Sequence, residues 1–132
     1  MHSAQQELYT RLLTALKAHF EPKGYKVYDG FLPPDNVPYP FVYMGDFRQL
    51  DTTTKKGVYG RVFPQVHVWH SNPYQRGTVS QMLLDIKIIM LSITKTENFT
   101  WVATSPLERI MPDNTTKTPL LHGIVEAEYI HS

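Results

Sequence analysis

The chain has no cysteine, so it carries neither a disulfide framework nor a thiolate metal site. It has little excess charge: 13 lysines and arginines against 12 aspartates and glutamates leave a formal net charge of +1. A surface that grips phosphate backbones non-specifically needs many unbalanced cations, so the composition argues against one and leaves room only for a local patch. Long apolar runs are missing too. The longest, Ile88 to Leu91, is far too short to span a bilayer. The first residues, Met-His-Ser-Ala-Gln-Gln-Glu, show no basic segment leading into an apolar stretch, and hence no signal peptide. The expectation is a soluble protein made in the cytoplasm, in which the sequons at Asn98 and Asn114 carry no weight.

What is present describes an ordinary globular chain. At 132 residues, 42% hydrophobic and 19% charged, it is expected to form one domain spanning residues 1–132. Ten prolines are many for this length. Most fall at expected connections: Pro33, Pro34, Pro38, Pro40, Pro73, Pro106, Pro112 and Pro119. No internal repeat or low-complexity segment is visible.

Periodicity sets the elements. Ser3 and Gln6 match a capping box, and Leu8, Leu12 and Leu16 with Tyr9, Leu13 and Phe20 make one wide apolar stripe, so residues 3–20 read as a helix ended by Pro22 and Gly24. Tyr25 to Tyr28 reads as a short strand, and residues 29–40 as a proline-broken loop. Phe41 to Met44 is apolar on both faces, as in a central strand that then emerges into solvent. Asp51 to Gly57 is a polar hairpin loop or an extended flap. On the returning strand Val62, Val66 and Val68 share one face, while Arg61, Phe63, Gln65, His67 and Trp69 share the other; Pro64 calls for an edge position or a bulge. Residues 78–93 repeat like a helix. Phe99 to Thr104 and Leu107 to Met111 read as strand pieces, and Leu120 to His131 as one closing strand. The order predicts an α+β fold: a mostly antiparallel sheet with two helices packed on one face.

The second helix carries two stripes. Val79, Met82, Leu83, Ile86, Met90 and Ile93 should pack on the sheet. Leu84, Ile88 and Leu91 fall nearly opposite, at about 100° per residue. They either meet the first helix or form a subunit interface. Phe63 and Trp69 pose the same choice. Their strand face is either covered by the chain itself or left bare as a protein interface.

Residues suited to chemistry do not converge in this reading. His67 and His70, three apart on a strand, point to opposite faces and are not expected to hold one metal ion. His122 has no sequence neighbour as a partner ligand, His2 and His131 lie near ends expected to fray, and His19 closes a helix, where a cation is favoured anyway. Glu126 and Glu128 share a strand face, but alternation alone produces that. Asp46 and Asp51 flank the polar end of a strand. There is no nucleophile elbow, P-loop or dinucleotide fingerprint. No catalysis, metal or cofactor is therefore expected. Lys55 and Lys56, beside Tyr59 and Arg61, read as a solvated tip more readily than as a phosphate contact.

Taken along its whole length, the chain resembles the tail terminator proteins of long-tailed bacteriophages, also called tail completion or head-to-tail joining proteins. The resemblance rests on the amphipathic helix Glu7 to Phe20 and on Pro38-Tyr-Pro-Phe-Val-Tyr43 leading into the second strand. It rests also on Val66-His-Val-Trp69 followed by a helix containing Met82-Leu-Leu-Asp-Ile86, and on the closing His122-Gly-Ile-Val-Glu-Ala-Glu-Tyr129. It implies a small α+β domain without catalysis that assembles with copies of itself into a hexameric ring. That ring would end growth of the tube built by the major tail tube protein and present a surface to the head connector or a head-completion protein, within the virion. Leu84, Ile88, Leu91, Phe63 and Trp69, together with the loop residues Thr52, Thr53, Thr54, Lys55 and Lys56, are the candidate contacts. The competing readings are another tail-tube or head-completion ring protein, or a small nucleic-acid-binding module.

Overall fold

A computed structural model of the chain describes residues 3–33, 37–54, 57–104, 106–115 and 117–131, with the backbone alone described at 52–54 and 57–59. The first helix, α1, spans Ala4–Phe20. Its start is fixed by Ser3, whose hydroxyl accepts the Gln6 N–H at 3.1 Å. Leu8, Leu12, Leu16 and Phe20 recur every fourth residue and are fully buried. A 3-10 turn at Glu21–Lys23 and the left-handed Gly24 end it.

Three strands follow: β1 (Val27–Asp29), β2 (Phe41–Thr54) and β3 (Gly57–His70). The second helix, α2, spans Arg76–Ser92, and then come β4 (Trp101–Ala103), β5 (Leu107–Asp113), β6 (Leu120–Glu126) and β7 (Tyr129–His131). The sheet runs β1-β2-β3-β6-β5, with β7 bridging β3 to β4. Only the β1–β2 pair is parallel. Both helices lie on one face, so the α+β prediction holds. Val42, Met44, Val62, Val66, Val68 and Val125 meet α1 and α2 there in a single core.

Two open alternatives are decided and one local expectation needs correction. Of the two readings of Asp51 to Gly57, the described residues form the extended flap. Its backbone continues the β2–β3 ladder as far as the Thr54–Gly57 pair, so the flap reading holds, while Lys55 and Lys56 lie outside the described residues. Pro64 is not at an edge, because β3 is flanked on both sides. It sits opposite a bulge between Met44 and Phe47 that turns both of these side chains toward the core. The closing run is two strands rather than one, and Pro64 explains why. Its carbonyl accepts the Ala127 N–H, but it has no N–H to return. The ladder breaks there, and the chain resumes as β7 against Gly60–Val62.

Candidate functional site

Among the described residues, no second layer of helix or strand covers the sheet face opposite the helices. What it has instead is a pavement of rings. Phe41 is within 5.3–5.7 Å of Tyr39, Tyr28 and Trp69, and Trp69 lies 4.2 Å from His122 in a stack tilted by 8°. His67 stacks on Trp69 at 5.3 Å and approaches Tyr43 at 5.9 Å. These positions share a face because the register pairs Phe41 with Trp69, Tyr43 with His67 and Trp69 with His122. Phe41 and Ile124 are buried yet stand apart from the helix-side core, and Phe41 is covered by Tyr28, Tyr39 and Trp69.

At its centre, His67 Nδ1 and His122 Nε2 are 2.8 Å apart, so one donates a single shared proton and the other accepts it. Burial, reinforced by the neighbouring imidazole, pulls the His67 pKa from 6.5 down to about 4. Burial also lowers His122, opposed by Asp113 and aided by Arg109. The Asp113 carboxyl is itself held low, first by the Thr115 hydroxyl and N–H and then by the Trp69 side chain. Gly45 leaves room for this pair, since a Cβ there would stand 2.8 Å from His67 Nε2 and the ring would have to shift. Sequence reasoning placed His67 and Trp69 on one face but left His122 without a partner. Strand alternation reports faces, and only register brings residues 55 apart into contact.

Phe63 is on the same face of β3 as Trp69 but in a separate group. The Arg48 guanidinium lies over its ring at 5.4 Å. Both line a cleft of about 190 Å³ with Gln65, Leu107, Glu126 and Glu128. Glu126 accepts from Gln65 at 2.6 Å and Glu128 pairs with Arg61 at 3.6 Å, so each carboxylate has its own partner. Among the described residues, no three His, Asp or Glu side chains gather as a metal site would require. His70 lies on the other face of β3 and accepts the Asn72 N–H, while His19 meets Asp85 at 3.1 Å. The expectation of a frayed His131 was wrong. It is buried between Phe99 and Trp101 because β7 is held between β3 and β4.

On α2 the core stripe is as predicted. The second stripe does not meet α1: Leu84, Ile88 and Leu91 are 44%, 58% and 49% exposed. The helices touch instead through Asp85, which His19 and Lys23 of the α1 end engage. For Thr52, Thr53 and Thr54 the backbone is placed on the β2 side of the two-stranded ribbon, and their side chains are not described. No helix among the described residues is long and apolar enough to cross a membrane.

No family model matches the sequence, and no curated protein matches it either. Solved structures do. A chain from the virion of a native gene transfer agent particle matches with a TM-score of 0.62 at 15% identity, covering 98% of this chain and 96% of that one. The bacteriophage SPP1 protein gp17 matches at 0.60 and 22% identity, covering 96% of this chain and 89% of that one. At these identities the likeness is one of fold, and it extends over nearly the whole of each chain.

Proposed function

We propose that this chain is a structural subunit of a phage-type virion. It forms a ring, of six copies on the family resemblance, at the head-proximal end of the tail tube. There it ends tube growth and joins the tail to the head connector. The single observation that carries this reading is the end-to-end fold match to a chain of one virion particle and to a bacteriophage protein. The surfaces agree with it. A ring subunit needs apolar area left over once its own core is built, and Leu84, Ile88, Leu91 and the ring pavement around Trp69 supply it. The neighbours in this reading are other copies of the chain, the major tail tube protein and the connector or head-completion protein. No catalytic step and no cofactor enters the reading.

Deleting the gene tests it directly. Tails should then grow to irregular lengths and fail to attach to filled heads, and supplying the protein in trans should restore both. Tails of normal length that lack only heads would move the protein to head completion. Infectious particles without it would overturn the reading. Cross-linking and native mass spectrometry of assembled tails should find a ring, and isolated monomers alone would count equally against it.

A further inference from the structure

The strands β1 and β5 form the two lateral edges of the main sheet path; one uncovered apolar patch lies beside β1, and another lies on the outer side of α2, tilted toward β5. Just past β1, Gly30 turns the chain at φ 80°, and Phe31 and Leu32 follow, 88% and 61% exposed. No other large apolar pair in adjacent positions is as exposed among the described residues. The other patch is the Leu84–Ile88–Leu91 ridge on the outer side of α2, a helix that packs on β6, β3 and β5. At about 100° per residue it lies roughly 150° from the core stripe, rotated toward the flank that carries Lys87. Lys87 reaches Glu108 of β5 at 2.9 Å, whereas Asp85, on the other flank, is tied to α1. The ridge therefore faces outward on the β5 side of the molecule.

We infer that these two patches are each other's partners between copies: Phe31 and Leu32 of one subunit seat on the Leu84–Ile88–Leu91 ridge of the next. The inference rests on the ring reading and adds to it the junction between subunits. A closed ring of more than two copies needs two different complementary patches per subunit, and this chain bears them on separate surfaces, one beside the β1 edge and one on the outer side of α2. The charges flanking the ridge, Asp85 and Lys87, are already paired within the subunit, so docking an apolar pair strands no free charge there. Size selects the occupant. Two side chains against three fall well short of the roughly 800 Å² per partner that a stable independent complex buries. Such a junction is weak alone, giving a dimer only toward the top of a concentration series, and becomes durable when the same contact repeats around a closed ring of copies of the chain.

Complementary blocked variants test the junction, in the full chain. Ile88→Asp spoils the ridge and Phe31→Ser with Leu32→Ser spoils the opposing patch. All three positions are exposed, so melting curves should match wild type. In sedimentation velocity over a concentration series, each variant alone should lose self-association by roughly tenfold or more. An equimolar mixture should form dimers and stop there, since one intact junction remains. Because the chain has no cysteine, Leu32→Cys and Ile88→Cys give an independent readout. Mixed, they should oxidise to a covalent dimer, and combined in one chain to a ladder. A mixture that stays monomeric and unlinked while wild type associates overturns the junction and leaves the ring reading standing. A blocked variant that still dimerises alone means that a patch pairs with itself, which also overturns it. Wild type that never associates, in solution or on tails, removes both.

Discussion

The His67–His122 contact makes stability depend on pH in a definite direction. Above about pH 6.5 both states of the chain hold a neutral imidazole at position 67, and the fold is at full stability. As pH falls from 6.5 toward the folded value of about 4, the unfolded chain takes up a proton that the folded protein refuses. Stability is lost across that window and levels off below it. At about 1.4 kcal/mol per pH unit the gap sets a ceiling of about 3 kcal/mol. The ring is only partly buried, so solvent screening reduces this to about 1–2 kcal/mol. The groups facing the pair are Tyr43 on β2, Trp69 on β3, and Arg109 and Asp113 on β5; of the charged ones, Asp113 favours the His122 cation and Arg109 opposes it.

The test compares wild type with His67→Gln, which keeps a polar side chain facing His122 but does not titrate. Thermal and urea melts between pH 7 and pH 4.5 avoid the region where Asp85 and Asp113, both with lowered pKa values, begin to protonate. Wild type should lose about 1–2 kcal/mol more than the variant over that range, a difference of about 3–6 °C in Tm. His70, His122 and His131 also have lowered values, and their contributions cancel in the comparison to the extent that the substitution leaves them alone. Parallel curves for the two proteins, or an NMR titration midpoint for His67 at or above 6.5, would refute the reasoning.

Gly123→Ala should cost about 1–3 kcal/mol in urea unfolding, because the new Cβ would stand 2.9 Å from Val79 and 3.0 Å from Leu83 on the overlying helix; Val79→Ala in the same chain should recover part of it. Gly60→Ala should destabilise because the new Cβ would run into the His131 ring, and equal stability to wild type would show that the ring has room to move. Replacing Thr52 to Lys56 with a short Gly-Ser link should leave stability within about 1 kcal/mol, since the ribbon beyond Gly60 pairs with no third strand among the described residues. The same change should impair tail completion in a complementation assay, and full infectivity would make the ribbon tip dispensable.

Both helices, the face assignment of β3 and the core stripe of α2 were legible in the sequence, because each follows from a period that local geometry imposes. Val62, Val66 and Val68 could face only one way once the strand was recognised. What the sequence does not carry is register. The bulge at Gly45 and Asp46 shifts β2 by one residue, so that Met44 and Phe47 both point inward although an unbroken strand would set them on opposite faces. The split of the closing strand has a readable cause in Pro64, but the consequence lies about 60 residues downstream, where nothing local marks it. The second stripe of α2 was visible as a pattern. Whether it met α1 depended on how far α1 reaches, and α1 meets α2 chiefly along the flank that carries Asp85.

A sheet with helices on one side only faces a difficulty before assembly, since its bare face must stay in water. Here the rings solve most of it themselves. Phe41 is only 5% exposed and Ile124 only 9%, with no helix over either. Tyr28, Tyr39 and Trp69 close over Phe41, and their polar edges suit them to water on one side and carbon on the other. The other exposed apolar side chains, Phe31, Leu32, Leu84, Ile88, Leu91, Val102 and Leu107 among them, are spread over separate parts of the surface. On the ring reading this spread has a kinetic consequence. Free subunits meet through one weak junction at a time and part again, whereas subunits gathered on a tube end form several junctions at once and stay. Termination would then be confined to the tube end by the weakness of each contact, and strengthening a single junction should produce premature free rings in place of faster tail completion.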